Sequence, residues 1–266
     1  MLPLLLAGCT PVPAASPRIA SLNPCTDAIL AEVADPGQIA ALSAFSRRPG
    51  QSSMDLATAR RLPSSEGTVE DMVALRPAQV LTGTFTPPAT RAAYARLGIP
   101  LAEFPIAATV AESEAQVRRI AALAGHPERG AALVGRMRAA LAQAAPPRGS
   151  RPLSALVWQA GGMVPGQATL IAELLARTGF ASFSAARGLG QGQVLPLEAV
   201  LADPPDVILA AGSARAQENR LLHHPALAAL RRTRTFSLDP ALEWCAGPTV
   251  IRAAARLAQI RRSVPG

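Results

Sequence analysis

The sequence predicts an α/β protein: two Rossmann-like lobes with mainly parallel sheets, joined by a single long backbone helix. Three observations point there. One pattern of helix, proline and strand occurs twice, each half opens with strand, turn and helix, and one unbroken helical segment separates the halves. The 266 residues, 49% of them hydrophobic, suffice for two lobes with cores of ordinary size.

The repeat compares Glu70–Leu81 with Glu198–Leu209. Each copy begins with Glu, continues as a short amphipathic helix, and meets a proline (Pro77, Pro205) before an apolar run. Proline stops the helix and starts the extended segment. Ahead of the first copy, Arg18–Leu22 reads as a strand, with a helix from Thr26 to Val33. Ahead of the second, Leu153–Trp158 reads as a strand, with a helix from Thr169 to Arg177. A last helix spans Thr249 to Arg261. Between the halves, Pro127 suits a first helical turn and Glu128 suits its positive end. Leu133, Val134, Met137 and Leu141 recur at helical spacing until Pro146 and Pro147 close the segment. Such a helix is about 27 Å long and makes a rigid spacer. The expected division is residues 1–17 as a leader remnant and tether, 18–125 as the first lobe, 126–145 as the interlobe helix, and 146–266 as the second lobe.

Composition excludes some functions. The net charge is +8, yet the basic residues are all Arg, scattered as doublets such as Arg47-Arg48, Arg118-Arg119 and Arg261-Arg262. With no clustered basic face, nucleic acid is not an expected partner. Leu4–Cys9 reads as the end of a lipoprotein signal, although no basic segment precedes it. Cys9 would carry the lipid and Thr10–Pro17 the tether. The protein is therefore expected in the periplasm, touching the membrane only through that anchor.

No Gly-x-Ser-x-Gly, Walker loop or His-Glu-x-x-His occurs, and Gly188–Gly192 neither follows a strand nor opens a helix. The three histidines, His126, His223 and His224, are not spaced to converge on a metal. Asp27 beside Cys25 would raise that thiol's pKa rather than activate it. The expectation is a protein that is not an enzyme, with no catalytic residue, no resident metal and no cofactor.

Several segments carry a resemblance: Arg18–Leu22, Gln38–Ser43, Val73-Ala74-Leu75-Arg76-Pro77, and Tyr94-Ala95-Arg96-Leu97-Gly98-Ile99-Pro100. From about Arg18 to Arg262 the chain resembles the helical-backbone class of periplasmic substrate-binding proteins of ABC importers, which handle cobalamin, haem and ferric siderophores. The resemblance implies a monomer that captures a metal chelate between its lobes, a cobalamin-like corrinoid first, a ferric siderophore or haem next. It would deliver that chelate to a permease dimer with its ATPase. Glu70 and Glu198 stand where the class docks onto permease arginines; alone, each reads equally as a helix-end carboxylate. Strand ends and the resemblance nominate Asn23, Cys25, Phe45, Ser46, Arg47, Phe85 and Thr86 from the first lobe for the ligand. From the second they nominate Gln159, Met163, Val164, Gln191, Trp244 and Cys245. Arg47 and Arg187 are candidates to meet an anionic chelate.

Cys25 and Cys245 leave three readings open: a disulfide across the lobes, a thiolate pair for a soft metal or chelate, or two buried free thiols. Two other functional classes stay open: a sensor or partner-presenting lipoprotein on the same fold, and a Cys-dependent enzyme.

Overall fold

The computed structural model describes residues 17–212 and 224–264. Cys9, the tether up to Ser16, and His223 lie outside the described residues. Two parallel sheets form the frame. The first joins β1 (Ile19–Ser21), β2 (Ile39–Ser43), β3 (Ser64–Ser65), β4 (Gln79–Gly83) and β5 (Leu101–Phe104) in the order β3-β2-β1-β4-β5. The second joins β6 (Leu153–Gln159), β8 (Phe180–Ser182), β10 (Val207–Ala211) and β11 (Arg234–Leu238) in the order β11-β10-β6-β8. A small antiparallel ribbon pairs β7 (Met163–Val164) with β9 (Gln193–Val194).

The internal repeat has a structural counterpart. The helix α3 (Val69–Leu75) feeds β4, which pairs with the opening strand β1. The helix α8 (Leu197–Ala202) feeds β10, which pairs with the opening strand β6. The chain enters each sheet at the same topological place, so the two lobes present corresponding strand ends to each other.

Helix α1 (Pro24–Val33) starts two residues before the expected Thr26. Asn23 supplies the cap by accepting the Cys25 N–H at 2.8 Å, and Pro24 takes the first turn, where its missing N–H costs nothing. Helix α5 (Val110–Leu123) is capped by Thr109, and α6 (Pro127–Ala144) follows after a short turn. Leu133, Val134, Met137 and Leu141 are all buried on α6, as their spacing requires. Close packing of α5 on α6 depends on Gly130, where an added Cβ would lie 2.5 Å from the Ala121 methyl. The nearly buried Glu114 of α5 accepts from Arg138 of α6 at 2.8 and 2.6 Å. That hydrogen bonding, with a third bond from Arg118, holds the Glu114 carboxyl below the ordinary carboxylate range.

One apolar cluster runs without interruption from Ile19 and Leu81, through Val117, Ile120, Leu133 and Met137, to Leu153, Leu174 and Leu257. Helix α11 (Thr249–Ser263) belongs to it and lies against α6. Among the described residues no helix is long and apolar enough to cross a membrane.

The lobes pack tightly at Gly247. Its φ of 69° is left-handed, and a Cβ there would meet Ile29 Cγ1 at 2.4 Å. Gly247→Ala is expected to cost about 2–4 kcal/mol through backbone strain and overpacking. In contrast, Gly135→Ala on the exposed side of α6, with nothing within 4 Å, should stabilise by about 0.5–1 kcal/mol. Urea unfolding of both variants reads this directly; equal midpoints would remove Gly247 from any account of lobe packing.

Candidate functional site

Strands of both sheets end at the seam, and their loops build a pocket there. Asn23, Cys25 and Thr26 line it from the start of α1, and Gly83, Thr84 and Phe85 from the end of β4. Phe104 to Ala107 follow from the end of β5, with Gln116 from α5 and Trp244 and Ala246 from the second lobe. The cavity is about 40 Å³, open to solvent at its rim. Phe85 is 82% exposed and Trp244 66% exposed, with Ile106 beside them at 57%. Large apolar side chains exposed around one concavity make it a candidate binding surface.

The floor is covalent. Cys25 and Cys245 form a disulfide across 220 residues of sequence, with Cα atoms 4.8 Å apart. Of the three readings of the pair, the structure has the cross-link, so neither sulfur is a free thiol or a thiolate ligand. Around it the segment after α10 (Ala241–Trp244) is fastened to the first lobe. The Gly247 N–H donates to Ser113 Oγ at 2.8 Å, and both Thr249 Oγ1 and the Arg252 guanidinium donate to the Ser53 carbonyl. The Ser53 hydroxyl contacts Cys245 Sγ. Glu173 on α7 (Leu170–Arg177) adds a further tie by accepting the Val110 N–H at 2.7 Å.

Of the residues nominated from sequence, the pocket gathers Asn23, Cys25, Phe85 and Trp244. Asn23 is also the cap of α1. The others lie elsewhere or are engaged within the protein. Ser46 is fully buried, donating to Asp27 Oδ2 at 2.6 Å. The Arg47 guanidinium donates to the carbonyls of Ala59 and Leu62 at the end of α2 (Leu56–Arg61). Phe45 stays half-exposed, its ring covered by Arg48 at 4.7 Å. Thr86 closes its own turn onto Gly83 and Thr82. Gln159 donates to Glu243 Oε2 at 2.8 Å. Val164 is buried while its neighbour Met163 points out, as alternation along β7 demands. Gln191 sits exposed ahead of β9. Arg187 stacks on Phe183 and pairs with Asp203. Sequence reasoning did not nominate Thr84, Pro105, Ile106, Gln116 or Ala246. The available signal was the Tyr94–Pro100 segment, which leads directly into β5, so the loop after Phe104 lies at a strand end facing the seam.

Two buried carboxyls support the walls. Asp27, entirely buried in α1, accepts from the Ser43 N–H and the Ser46 hydroxyl, fixing the turn after β2; its second oxygen has no hydrogen-bond partner among the described residues. Burial pushes its pKa from 3.8 up to about 8, against the lowering effect of Ser21, Ser46 and Ser43. Glu243, beside Trp244, is pushed by burial up to about 7. Among the described residues no group of three His, Cys, Asp or Glu converges as a metal site. Tyr94 is buried, its hydroxyl bonded to the Gly67 carbonyl.

Glu70 and Glu198 are each the second residue of their helix, α3 and α8, and both are exposed. Neither forms an ion pair among the described residues. At α3 the capping bond comes from Thr68, which accepts the Asp71 N–H.

The profile of the periplasmic binding protein family matches residues 19–242. No curated protein sequence matches the chain. Among solved structures, the chain is similar to the periplasmic heme-binding protein RhuT from Roseiflexus sp. RS-1 in apo form, at 22% identity and TM-score 0.70, covering 92% of this chain and 97% of that one. It is similar to a periplasmic heme binding protein from Pseudomonas aeruginosa, at 21% identity and TM-score 0.73, covering 93% and 94%. It is also similar to the periplasmic vitamin B12 binding protein BtuF of Vibrio cholerae, at 17% identity and TM-score 0.66, covering 92% and 98%. At these identities the likeness establishes a shared fold.

The raised pKa of Asp27 has a measurable consequence. Folded protein keeps a proton that the unfolded chain releases above about pH 4, so this group's contribution makes stability fall as pH rises from about 4 to about 8. Glu243 adds to the same slope, from about pH 4.5 to about 7. Asp27→Asn keeps a neutral acceptor for Ser43 and Ser46, and should flatten the fall in urea midpoint between pH 5 and pH 8. An unaltered slope would mean that the folded protein carries this carboxyl ionised.

Proposed function

The chain belongs to the periplasmic binding protein family, and from that premise we propose that it captures a metal chelate, a cobalamin-like corrinoid first, and hands it to an ABC permease dimer with its ATPase. The observation that carries the reading is the pairing of Phe85 and Trp244: one exposed aromatic from each lobe on a single pocket. Aromatic faces suit a planar macrocycle, whose stacking needs area rather than charge. The polar groups on the pocket, Asn23, Thr84 and Gln116, suit the periphery of such a ring. The role is binding and release, with no chemistry.

Recognition by stacking favours a chelate that brings its own metal ligands. The disulfide leaves Cys25 and Cys245 no metal-binding thiolate, and Tyr94 is turned into the core. That supports a corrinoid over haem, which commonly takes an axial ligand from protein. Haem is the second reading, favoured by the solved relatives described as heme-binding proteins; a ferric siderophore ranks with it. In this account residues 18–125 and 146–266 are the lobes, 126–145 joins them, and Cys9 carries a lipid that keeps the monomer at the periplasmic membrane face. Glu70 and Glu198, matched on the two lobes, are the permease contacts, setting orientation more than affinity.

Titration with cobalamin, cobinamide, haem and ferric siderophores tests the reading by absorbance and thermal melting. A corrinoid at a hundredfold excess over its Kd should stabilise the protein by about 2.7 kcal/mol. Phe85→Ala and Trp244→Ala should each weaken binding about tenfold or more. A shift with haem alone would replace the corrinoid by the second reading, and no shift with any chelate would remove both. For docking, Glu70→Ala with Glu198→Ala should leave affinity intact while abolishing uptake in cells that carry the cognate importer. Parallel loss of affinity and uptake would refute a docking role.

A further inference from the structure

The two sulfurs of the cross-link have unlike surroundings. Cys25 is partly exposed, lines the interlobe pocket, and is the second residue of the ten-residue helix α1. Cys245 is 5% exposed, and its sulfur touches the Ser53 hydroxyl. One end of the bond is open to attack from solvent, and the other is buried beside a hydrogen-bond donor.

We propose that Cys25–Cys245 is an exchange-competent disulfide, reduced by an external dithiol that attacks Cys25, and that its opening loosens Trp244 and weakens the grip on ligand. The part concerning ligand rests on the binding reading above; the exchange itself does not.

The chemistry balances as an ordinary two-electron exchange. A thiolate of the dithiol attacks Cys25 Sγ, a new S–S bond forms, and the Cys25–Cys245 bond breaks with its electron pair passing to the Cys245 sulfur. The Ser53 hydroxyl donates to that sulfur as charge develops, and the sulfur then takes a proton. The second sulfur of the dithiol, once deprotonated, attacks its own joined sulfur, closes the reductant's disulfide and expels Cys25 as a thiolate. That thiolate sits in the first turn of α1, where helix N–H groups favour negative charge and make Cys25 a good leaving group. Asp27 offers little opposition, because burial keeps its carboxyl protonated at neutral pH. In total the dithiol loses two electrons and two protons, and the protein gains two thiols.

Opening this bond does not dismantle the seam. The bonds from Gly247 to Ser113 and from Thr249 and Arg252 to Ser53 remain, as does the apolar cluster shared by both lobes. What loses its covalent hold is the end of α10. That helix has only four residues, and it carries Trp244 into the pocket.

The test treats the native full-length chain with dithiothreitol, alkylates free thiols with a maleimide, and counts them by mass while far-UV circular dichroism tracks the fold. Two additional alkylated thiols are expected with the spectrum intact. Tryptophan emission should rise as the neighbouring disulfide is lost, and Trp244→Phe should abolish that rise, since Trp158 is buried. Corrinoid affinity should fall about tenfold as preorganisation is lost, and the Cys25→Ser/Cys245→Ser variant should reproduce the weaker binding without reductant. Thiols that appear only when the circular dichroism signal collapses would overturn the exchange proposal, leaving a structural cross-link. Two freed thiols with unaltered emission and affinity would overturn the coupling to ligand. Failure of the oxidised protein to bind any chelate would sink the binding reading alone, and the thiol count would still decide whether the bond exchanges.

Discussion

The segment from Trp244 to Thr249 belongs to the second half of the chain but is held by the first. A disulfide, a glycine pressed onto Ile29, and hydrogen bonds to Ser113 and Ser53 fix it within a few residues. Each of these ties alone is modest. Together they make the seam a packed interior rather than two surfaces that meet. The buried apolar cluster that passes through α5, α6 and α11 has the same consequence. Relative motion of the lobes must deform this interior, which opposes wide opening and closing around the pocket. A binding protein so built loses little conformational entropy on capture, and its affinity rests on the fit of side chains at the rim.

Polar residues at the strand ends illustrate how much of such a site is scaffolding. Asp27 organises the turn after β2 from inside the core, and Arg47 is drawn inward to the carbonyls that end α2. Gln159 donates to Glu243 Oε2 beside Trp244, while Glu243 Oε1 is buried with no partner among the described residues. These groups settle the backbone, and the backbone then holds the aromatics outward. The exposed Phe85 and Trp244 leave apolar area in water at the pocket rim, a cost that burial against an apolar partner would offset. Asp27 and Glu243, with pKa values pushed up by burial to about 8 and about 7, are the matching feature inside. Their protonation keeps net charge out of the low-dielectric walls, at the expense of a stability that declines with pH.

The architecture was legible because it rests on signals the chain repeats. Glu, helix, proline and strand recur at one spacing, and both copies feed the strand that pairs with the lobe's first. Helix α6 was legible from Pro127, its buried stripe and the closing prolines. The pocket was only partly legible, for reasons that differ by residue. Ser46 and Arg47 sit at a strand end, but their partners Asp27, Ala59 and Leu62 are set by tertiary packing. Val164 and Met163 differ by one step of a two-residue strand, and nothing local fixes which one faces in. The start of α1 was displaced because Pro24 reads equally as a breaker and as a first-turn residue, and the Asn23 cap decides between them. The Cys pairing needed the approach of two turns that are 220 residues apart in sequence.

The docking role proposed for Glu70 and Glu198 can be weighed against scaffolding by the same reasoning. An exposed carboxylate in a first helical turn gains a little from the helix dipole wherever it occurs. That gain is available to Asp71 as well, and Thr68 already supplies the capping bond of α3. Helix stability therefore does not require Glu70, and at α8 Glu198 is the acidic residue of a first turn that has no side-chain cap at all. The two lobes differ in strand number, in helix lengths and in the ribbon that only the second carries. A carboxylate at the same helical position on such unlike halves, exposed and unpaired among the described residues, is what the proposed permease contact with both lobes would use. A partner of that kind must itself offer two positive sites at a fixed separation, as a dimer of identical subunits does.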